Sequence, residues 1–435
     1  MRNSIIRRGI TVRILIIALL MVLGGLAAPA QAEKVLYGFC PNGDCSTGDG
    51  PQGLLLSDTK GNLYGVTRGG GANGEGVAYV LEHRNGNWTN QVLYDFCAQK
   101  RCADGSAPST PLIADSQGNL YGATRTGGQY GGGALFELSP PAKGQTAWTE
   151  KILYSFCARS ACADGSQPSY RLTYAGAAAG APYDGSSPIY GVTIDGGNDM
   201  KGGTVYSLTP KKNGWSEKAI YAFCSAASCT DGKSPSGGPL LDSAGNLYGV
   251  TYSGGASDYG VLYRLTGSNY QVAHDFCAGC SEGGEPVGAL ATDAAGSLYG
   301  ATIVGGVCSA ACGTLFKFDP GASQYTVLYA FCQKNHCRDG NTPNGDVALD
   351  GSGNVYGTTS RGGSIWNNCA DIYGGGGMAY RFAGSTLTVL HSFCGWGDGI
   401  FPDAGMTLSK SGNLFGTTPH SGSDAAVIYQ LSPMK

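Results

Sequence analysis

Charged side chains are scarce in this sequence. Only 14% of the 435 residues are Asp, Glu, Lys or Arg, whereas 42% are hydrophobic, which is enough apolar material for a large core and excludes a disordered chain. Catalytic motifs are missing too: there is no Gly-x-Ser-x-Gly elbow, no His-Glu-x-x-His pair and no phosphate-cradling loop. The five histidines are scattered along the chain. The sequence therefore carries no signature of these enzyme classes.

Long hydrophobic runs are missing as well, except at the N-terminus. Residues 1–32 have the pattern of a signal peptide, with a basic start, an apolar run over 14–23 and small residues that suit cleavage after Ala32. An uncleaved membrane anchor is the alternative, and Arg7-Arg8 leave a twin-arginine signal open. No other stretch is long and apolar enough to cross a bilayer, so we expect residues 33–435 to form one secreted, periplasmic or extracellular domain.

The mature chain also lacks an excess of basic residues. Removal of residues 1–32 takes away four arginines and no acid, which leaves 24 basic against 31 acidic side chains and a formal charge of −7. This balance argues against nucleic acid and against anionic lipid as partners, because both require a basic surface. We expect the protein to be a monomer.

Glycine is abundant, with 73 residues, but the Gly-X-Y period of collagen is absent. The sequence is instead a sevenfold repeat, in which two markers recur at mean spacings of about 59 residues. The first marker is Phe-Cys, with its cysteines at 40, 97, 157, 224, 277, 332 and 394. The second is Leu/Ile/Val-Tyr/Phe-Gly-x-Thr, with its aromatics at Tyr64, Tyr121, Tyr190, Tyr248, Tyr299, Tyr356 and Phe415.

Each repeat has the pattern of four short strands. Residues 235–277 show this best, with apolar segments that end in "DSAGN", in glycines, in "TGSN" and in "DFC". Four antiparallel strands in each of seven repeats predict an all-β, seven-bladed β-propeller. A β-solenoid or a string of separate small domains is the alternative, but the period is long for a solenoid coil and one repeat alone buries too little surface.

The last repeat has three strands and then the sequence ends, whereas the mature N-terminus begins with "KVLYGFC", which has the pattern of a fourth strand. We therefore predict that this N-terminal strand completes the seventh blade and closes the ring. Closure would also remove unpaired sheet edges, which promote aggregation.

Strand four leads to the next strand one, and strand two leads to strand three, on the same face of the ring, here called the top face. The sixteen cysteines are predicted to lie on this face. In an exported protein, Cys-x4-Cys spacing predicts disulfides between Cys40 and Cys45, Cys97 and Cys102, Cys157 and Cys162, Cys224 and Cys229, and Cys332 and Cys337. Cys369 is the expected partner of Cys394. Cys277, Cys280, Cys308 and Cys312 form two further disulfides or, as the alternative, a zinc site.

An acidic residue follows the cysteines in every repeat, at Asp49, Asp104, Asp164, Asp231, Glu282, Asp339 and Asp398. The functional interpretation is a top-face ring that binds calcium or sugar hydroxyls, because carboxylates suit both. The alternative, which we favour, is a turn in which Asp accepts backbone N–H bonds and Gly takes a positive φ.

Insertions that break the repeat carry more functional weight. The top loop of blade six contains Trp366, Asn367, Asn368, Asp371 and Tyr373, a combination that resembles a sugar-stacking surface. The alternative is a loop cover pinned by Cys369. His274 and His391 occupy the aromatic position of strand four and are interpreted as packing residues.

The motif "GNLYGVT", followed by glycines, an "LY-x-F" strand and "DG-x-x-P", resembles the Gloeobacter/Verrucomicrobia-type (GloVer) tandem repeat of exported bacterial proteins. The resemblance covers nearly all of residues 34–432. It implies an exported or surface bacterial protein and no defined activity. Members often carry a C-terminal sorting anchor, whereas "YQLSPMK" ends this sequence, and the paired cysteines are an addition to the basic repeat.

The sequence thus favours an exported propeller that binds a ligand or partner through a disulfide-stiffened top face, with a carbohydrate or cell-surface component as the expected partner. Two other functions stay open. One is an extracellular polysaccharide lyase or hydrolase that uses top-face carboxylates. The other is a purely structural or host-interaction protein.

Overall fold

The structure is a computed structural model that describes residues 33–198, 201–277, 281–308, 312–363, 375–395, 397–419 and 426–432. These described residues form seven antiparallel sheets arranged as blades and contain no α-helix. They also contain short 3-10 helices at Pro41–Gly43, Lys100–Cys102, Ser160–Cys162, Ala177–Ala179, Ala227–Cys229 and Asn335–Cys337. The prediction of a seven-bladed β-propeller is confirmed.

The N-terminal strand comes first, and the blades then follow in chain order. The first strand is β1 (Glu33–Gly38). Blade one is β2 (Asp49–Ser57), β3 (Leu63–Gly69), β4 (Val77–Arg84) and β5 (Asn87–Asp95). Blade two is β6 (Ser106–Pro108), β7 (Ile113–Ala114), β8 (Leu120–Thr126), β9 (Ala134–Ser139) and β10 (Thr149–Ser155). Blade three is β11 (Ser166–Thr173), β12 (Ile189–Asp195), β13 (Thr204–Lys211) and β14 (Gly214–Ala222).

The remaining blades repeat this order. Blade four is β15 (Lys233–Pro235), β16 (Leu240–Leu241), β17 (Asn246–Ser253), β18 (Val261–Thr266) and β19 (Asn269–Asp275). Blade five is β20 (Gly284–Thr292), β21 (Leu298–Val304), β22 (Thr314–Asp319) and β23 (Gln324–Ala330). Blade six is β24 (Asn341–Pro343), β25 (Ala348–Leu349), β26 (Val355–Arg361), β27 (Met378–Ala383) and β28 (Thr386–Ser392). Blade seven is β29 (Met406–Leu408), β30 (Leu414–Thr418) and β31 (Val427–Leu431), completed by β1.

Aromatic pairs join each blade to the next. The phenylalanine before the first cysteine of each repeat is fully buried and contacts the central aromatic of strand three in the following blade. The seven pairs, with ring centroids 4.8 to 5.5 Å apart, are Phe39–Tyr79, Phe96–Phe136, Phe156–Tyr206, Phe223–Tyr263, Phe276–Phe316, Phe331–Tyr380 and Phe393–Tyr429. Tilted and edge-on ring contacts of this kind add about 0.5–1.5 kcal/mol each beyond area burial.

The glycine of the "YG-x-T" motif makes room for these rings. A Cβ at Gly249 would overlap the ring and hydroxyl of Tyr263, and a Cβ at Gly122 would lie 2.6 Å from Phe136. The same clash recurs at the motif glycine of every blade. The motif is therefore a packing requirement, because no residue larger than glycine leaves space for the strand-three aromatic.

Every fourth strand contains a β-bulge at the same position. The register shifts around Leu36, Leu93, Leu153, Ile220, Ala273, Leu328 and Leu390. Each bulged residue lies four positions before a Phe-Cys cysteine. Because a bulge re-aims the side chains that follow it, the next residue, Tyr or His, can face the top-face loop while the phenylalanine stays in the core.

Ring closure occurs between the two ends of the described chain. Strand β1 pairs antiparallel with β31, with Val35 opposite Tyr429 and Gly38 opposite Val427, and the Phe39 N–H donates to the Ala426 carbonyl at 2.8 Å. This confirms the predicted N-terminal strand of blade seven. Among the described residues, no helix has the length and hydropathy needed to span a membrane.

The closing strand should be a large contributor to stability. Replacement of the fully buried Phe39 by Ala removes its contact with Tyr79, and we expect a loss of about 3–5 kcal/mol in the free energy of unfolding. Denaturant unfolding of the oxidised protein measures this. Tyr130→Ala, at a tyrosine that is 51% exposed, is the control and should change stability little. A Phe39→Ala protein as stable as the control would contradict closure through β1.

Candidate binding face

The top-face loops that lead into blades two, three, four and six are organised by a buried aspartate. Asp104 Oδ2 accepts hydrogen bonds from the Tyr94 hydroxyl (2.9 Å) and the Ala98 N–H (2.8 Å), and its Oδ1 accepts one from the Gln99 N–H (3.0 Å). The same three bonds recur at Asp164, Asp231 and Asp339, with hydroxyl donors Tyr154, Tyr221 and Tyr329. These four carboxylates are bound by their own loops, which is the turn arrangement that we favoured.

The loop into blade one requires a correction. Asp49 pairs with Gly69 in the register that Ser106 and Thr126 occupy in blade two, so it lies two residues beyond the aspartate position and is exposed. The half-buried Thr47 takes the aspartate position instead, and its hydroxyl lies 2.8 Å from that of Tyr37. The Asp-Gly pattern misled the alignment because the step at the structural glycine is Thr47-Gly48 in blade one, and the Asp-Gly step follows two residues later.

The loops into blades five and seven are shorter and pair an acid with histidine. His391 Nε2 lies 3.0 Å from Asp398 Oδ2, and the backbone N–H groups of Cys394 and Gly395 also donate to that carboxylate. His274 Nε2 lies 3.6 Å from the half-exposed Glu282. Burial lowers the pKa of His274, although Glu282 opposes the shift.

Residues seven positions before the Phe-Cys cysteines face these loops from the next blade, and sequence reasoning missed them. They are Asn90, Glu150, Glu217, Tyr270, Tyr325, Leu387 and Glu33. Burial, and to a smaller extent the charge of Asp104, raise the pKa of Glu150 to about 7. Burial likewise raises the pKa of Glu217 to about 7 against the opposing effect of Arg159, whose Nη2 lies 2.8 Å from its carboxylate.

The disulfides stiffen the same loops. Each of the five Cys-x4-Cys pairs is a disulfide, as is Cys308–Cys312, so those two sulfurs do not bind zinc as thiolates. Cys277 and Cys394 are also disulfide-bonded. The predicted partners Cys280 and Cys369 lie outside the described residues, as do Trp366, Asn367, Asn368, Asp371 and Tyr373.

The acids do not converge on one point. Among the described residues, only Cys40, Cys45 and Asp49 bring three metal-ligating atoms within 4.8 Å of one another. The Cys40–Cys45 disulfide removes both thiolates from that group. Calcium binding by the ring of acids stays a prediction, because no three carboxylates in the described part of the chain lie close enough together to bind one ion.

The residue before the strand-one proline has an unusual backbone in every blade. It adopts a positive φ of 52 to 63° at Gly50, Ala107, Gln167, Ser234, Glu285, Thr342 and Phe401. This conformation is costly for residues other than glycine and especially before proline. In six blades a backbone hydrogen bond to the preceding blade helps to hold this conformation, as at Ala107, whose N–H donates to the Glu75 carbonyl (2.8 Å). The backbone is repeated while the side chain varies, which is typical of a recognition surface on a rigid scaffold.

Several of these side chains form a polar network at the top of the inner strands. Arg125 Nε donates to Gln167 Oε1 (2.9 Å), and Gln167 Nε2 donates to Asp195 Oδ2 (2.7 Å). Between blades four and five, the hydroxyl of Tyr252 donates to Glu285 Oε2 at 2.9 Å. The Tyr252 side chain is 40% exposed. Burial and this bond raise the pKa of Tyr252 to about 12.

Tyr170 interacts electrostatically with both halves of this network. Burial raises its pKa while the charge of Arg125 lowers it, and Tyr170 in turn raises the pKa of Tyr252. We call Arg125, Gln167, Tyr170, Asp195, Tyr252 and Glu285 the mouth cluster. Below it, Arg171 Nη1 of blade three lies 3.9 Å from Asp346 Oδ2 of blade six, so an ion pair crosses the axis of the ring.

The fold and its loops define a seven-bladed propeller built from tandem repeats. The chain belongs to the Gloeobacter/Verrucomicrobia repeat family, whose model matches residues 26–187 and 174–373. This confirms the resemblance read from the repeat motif. No curated protein sequence matches the chain.

Solved structures share the fold at low sequence identity. The extracellular domain of a hybrid two component system from B. thetaiotaomicron has a TM-score of 0.51 and 10% identity, over 92% of this chain and 39% of that one. The GH74 enzyme from Niastella koreensis has a TM-score of 0.51 and 18% identity, over 92% of this chain and 55% of that one. The chain thus spans about two fifths and just over half of the lengths of these proteins, and the likeness concerns the fold alone.

The raised pKa of Glu150 predicts a pH-dependent stability. Below its ordinary pKa of 4.5 the carboxyl is protonated in both states, whereas between that value and about 7 only the unfolded chain ionises it, so the native state loses stability as pH rises. We expect Glu150→Gln to stabilise the protein by about 1–2 kcal/mol at about pH 8 and to have little effect at about pH 4.

Urea unfolding at the two pH values measures this difference. Glu75→Gln, at an exposed glutamate of the blade-one top face, provides the matched charge change and should have the same small effect at both. Equal effects of Glu150→Gln at both pH values would show that burial does not hold the carboxyl protonated.

Proposed function

We propose that the protein is an exported binding protein whose mouth cluster recognises a carbohydrate, either free or as part of a cell surface. The observation that carries the proposal is Tyr252, an exposed ring fixed by a hydrogen bond to Glu285 beside the Arg125–Gln167–Asp195 network. An aromatic ring can stack on the C–H face of a sugar, and convergent amide and carboxylate groups can bind its hydroxyls.

The mouth cluster is suited to a neutral polar ligand. Arg125, Asp195 and Glu285 each form a hydrogen bond with a neutral side chain of the cluster, so each charged group is held in place before any ligand arrives. Side chains held in place by such bonds lose little conformational entropy when a ligand binds. The repeated disulfides support an oxidising, extracytoplasmic location, because structural disulfides persist there.

A polysaccharide panel tests the proposal. The oxidised protein would be examined by affinity electrophoresis with neutral and acidic polysaccharides, and the same mixtures would be assayed for new reducing or unsaturated ends. We expect retention by at least one polysaccharide and about a tenfold loss of affinity in Tyr252→Ala. Tyr252→Phe, which keeps the ring and removes only the bond to Glu285, should stay within a few fold of the original affinity.

Tyr130→Ala is the matched control, because Tyr130 is an exposed top-face tyrosine outside the mouth cluster. Retention that survives Tyr252→Ala, or that both tyrosine changes weaken equally, would refute the mouth as the site. Release of new chain ends would instead favour the lyase or hydrolase function. No retention by any polysaccharide would overturn the carbohydrate assignment and direct attention to protein partners.

A further inference from the structure

Two cavities of the described chain lie on the bottom face, opposite the disulfide loops. One, of about 410 Å³, lies between the bottom turns of blades six and seven and is lined by Asp350, Tyr356, Arg381 and Lys410. A second, of about 480 Å³, lies between the turns of blades five and six. Both are lined by Asp350 and Gly351, so the two cavities are adjacent, and we call the surface that they form, over residues 292–295, 349–356 and 408–414, the bottom groove.

Basic side chains lie in strand three of the blades that form or adjoin the bottom groove. The strand-three residue opposite the strand-two aromatic is Val80, Glu137, Ser207, Arg264, Lys317, Arg381 and Gln430 in blades one to seven. It is therefore basic in three successive blades, four, five and six. In blades four and five the cation lies over the tyrosine ring, with Arg264 5.8 Å and Lys317 5.5 Å from the ring centroid.

Blade six differs because its cation lines a cavity. The buried Nε of Arg381, like that of Arg264 in blade four, donates to no acceptor among the described residues, and the Arg381 side chain lines the first cavity. Lys410 reaches the same cavity from blade seven and is exposed, with no hydrogen bond or ion pair from its ammonium group to the described residues. Two cations thus face one space from two blades.

Both acids in the groove are already bound. Asp293 lies 3.9 Å from the Lys317 ammonium group and accepts a hydrogen bond from the Tyr299 hydroxyl. Asp350 accepts hydrogen bonds from the N–H groups of Ser352 and Asn354, from the Asn354 amide and from the Tyr356 hydroxyl. These bonds lower its pKa despite burial, and they hold the carboxylate in the turn. Arg381 and Lys410 therefore retain binding capacity for a ligand, and the local balance favours an anion.

We propose that the bottom groove is a second binding site, which takes an acidic polysaccharide and holds one of its carboxylates between Arg381 and Lys410. A groove across three blades suits an extended polymer better than a single ion. The first cavity is lined mainly by polar groups, among them Asn354 and Ser409, which offer hydrogen bonds to sugar hydroxyls, whereas the second is lined more by apolar groups such as Leu349. The site is independent of the mouth cluster.

Affinity electrophoresis and calorimetry with polygalacturonate, using the oxidised full chain, test this site. We expect binding that weakens as salt is raised, because it depends on charge. Arg381→Gln should lower the affinity about tenfold and Lys410→Glu at least about fivefold at low salt. Lys410 is exposed, so its change keeps the test valid even if the half-buried Arg381 proves necessary for folding.

Lys60→Glu is the matched control, because Lys60 is an exposed lysine in the corresponding bottom turn of blade one. Tyr252→Ala should leave polygalacturonate binding at the groove unchanged, which separates this proposal from that for the mouth. No binding at low salt, or equal losses with Lys60→Glu and Lys410→Glu, would overturn the groove site. Equal binding of poly-L-glutamate would overturn the assignment to a polysaccharide.

Discussion

The contact between strand-four phenylalanine and the strand-three aromatic of the next blade is the constraint on which the rest of the structure depends. It occurs at all seven seams and each time requires a glycine in the neighbouring strand two. A larger residue in place of this glycine would displace the strand-three aromatic side chain and change the angle between the two blades. Since the propeller must close, an error in one angle between blades has to be absorbed by the other angles.

The same contact determines what the top face can present. The phenylalanine anchors the end of strand four, and the bulge four residues before the cysteine aims the next residue at the loop. In four loops that residue is a tyrosine bound to a buried aspartate, and in two it is a histidine, of which His391 forms a hydrogen bond with Asp398 and His274 lies 3.6 Å from Glu282. Because the loop backbone is held from within, side chains at the mouth can differ between blades at little cost to the fold.

The sequence was sufficient for features that repeat and insufficient for features that depend on contacts between repeats. The blade count, the closing strand and the local Cys-x4-Cys disulfides could be predicted, because each involves residues at a constant spacing. Glu150 and Glu217 were missed, since their position carries a different residue type in most blades and its partner lies in another repeat. Asp49 was misplaced because threonine replaces aspartate before the structural glycine of that loop, and an Asp-Gly step follows directly after it. Tyr252 and Glu285 likewise come from different blades, so no local spacing connects them.

The pairing of β1 with β31 has a consequence for how the protein reaches its folded state. These strands come from opposite ends of the described chain, so their contact has the greatest sequence separation in the fold. Contacts of this kind form slowly, because a long loop must close before they contribute. Until then β31 keeps an open edge that can pair with another chain. The seventh blade is therefore the point at which closure of the propeller competes with aggregation.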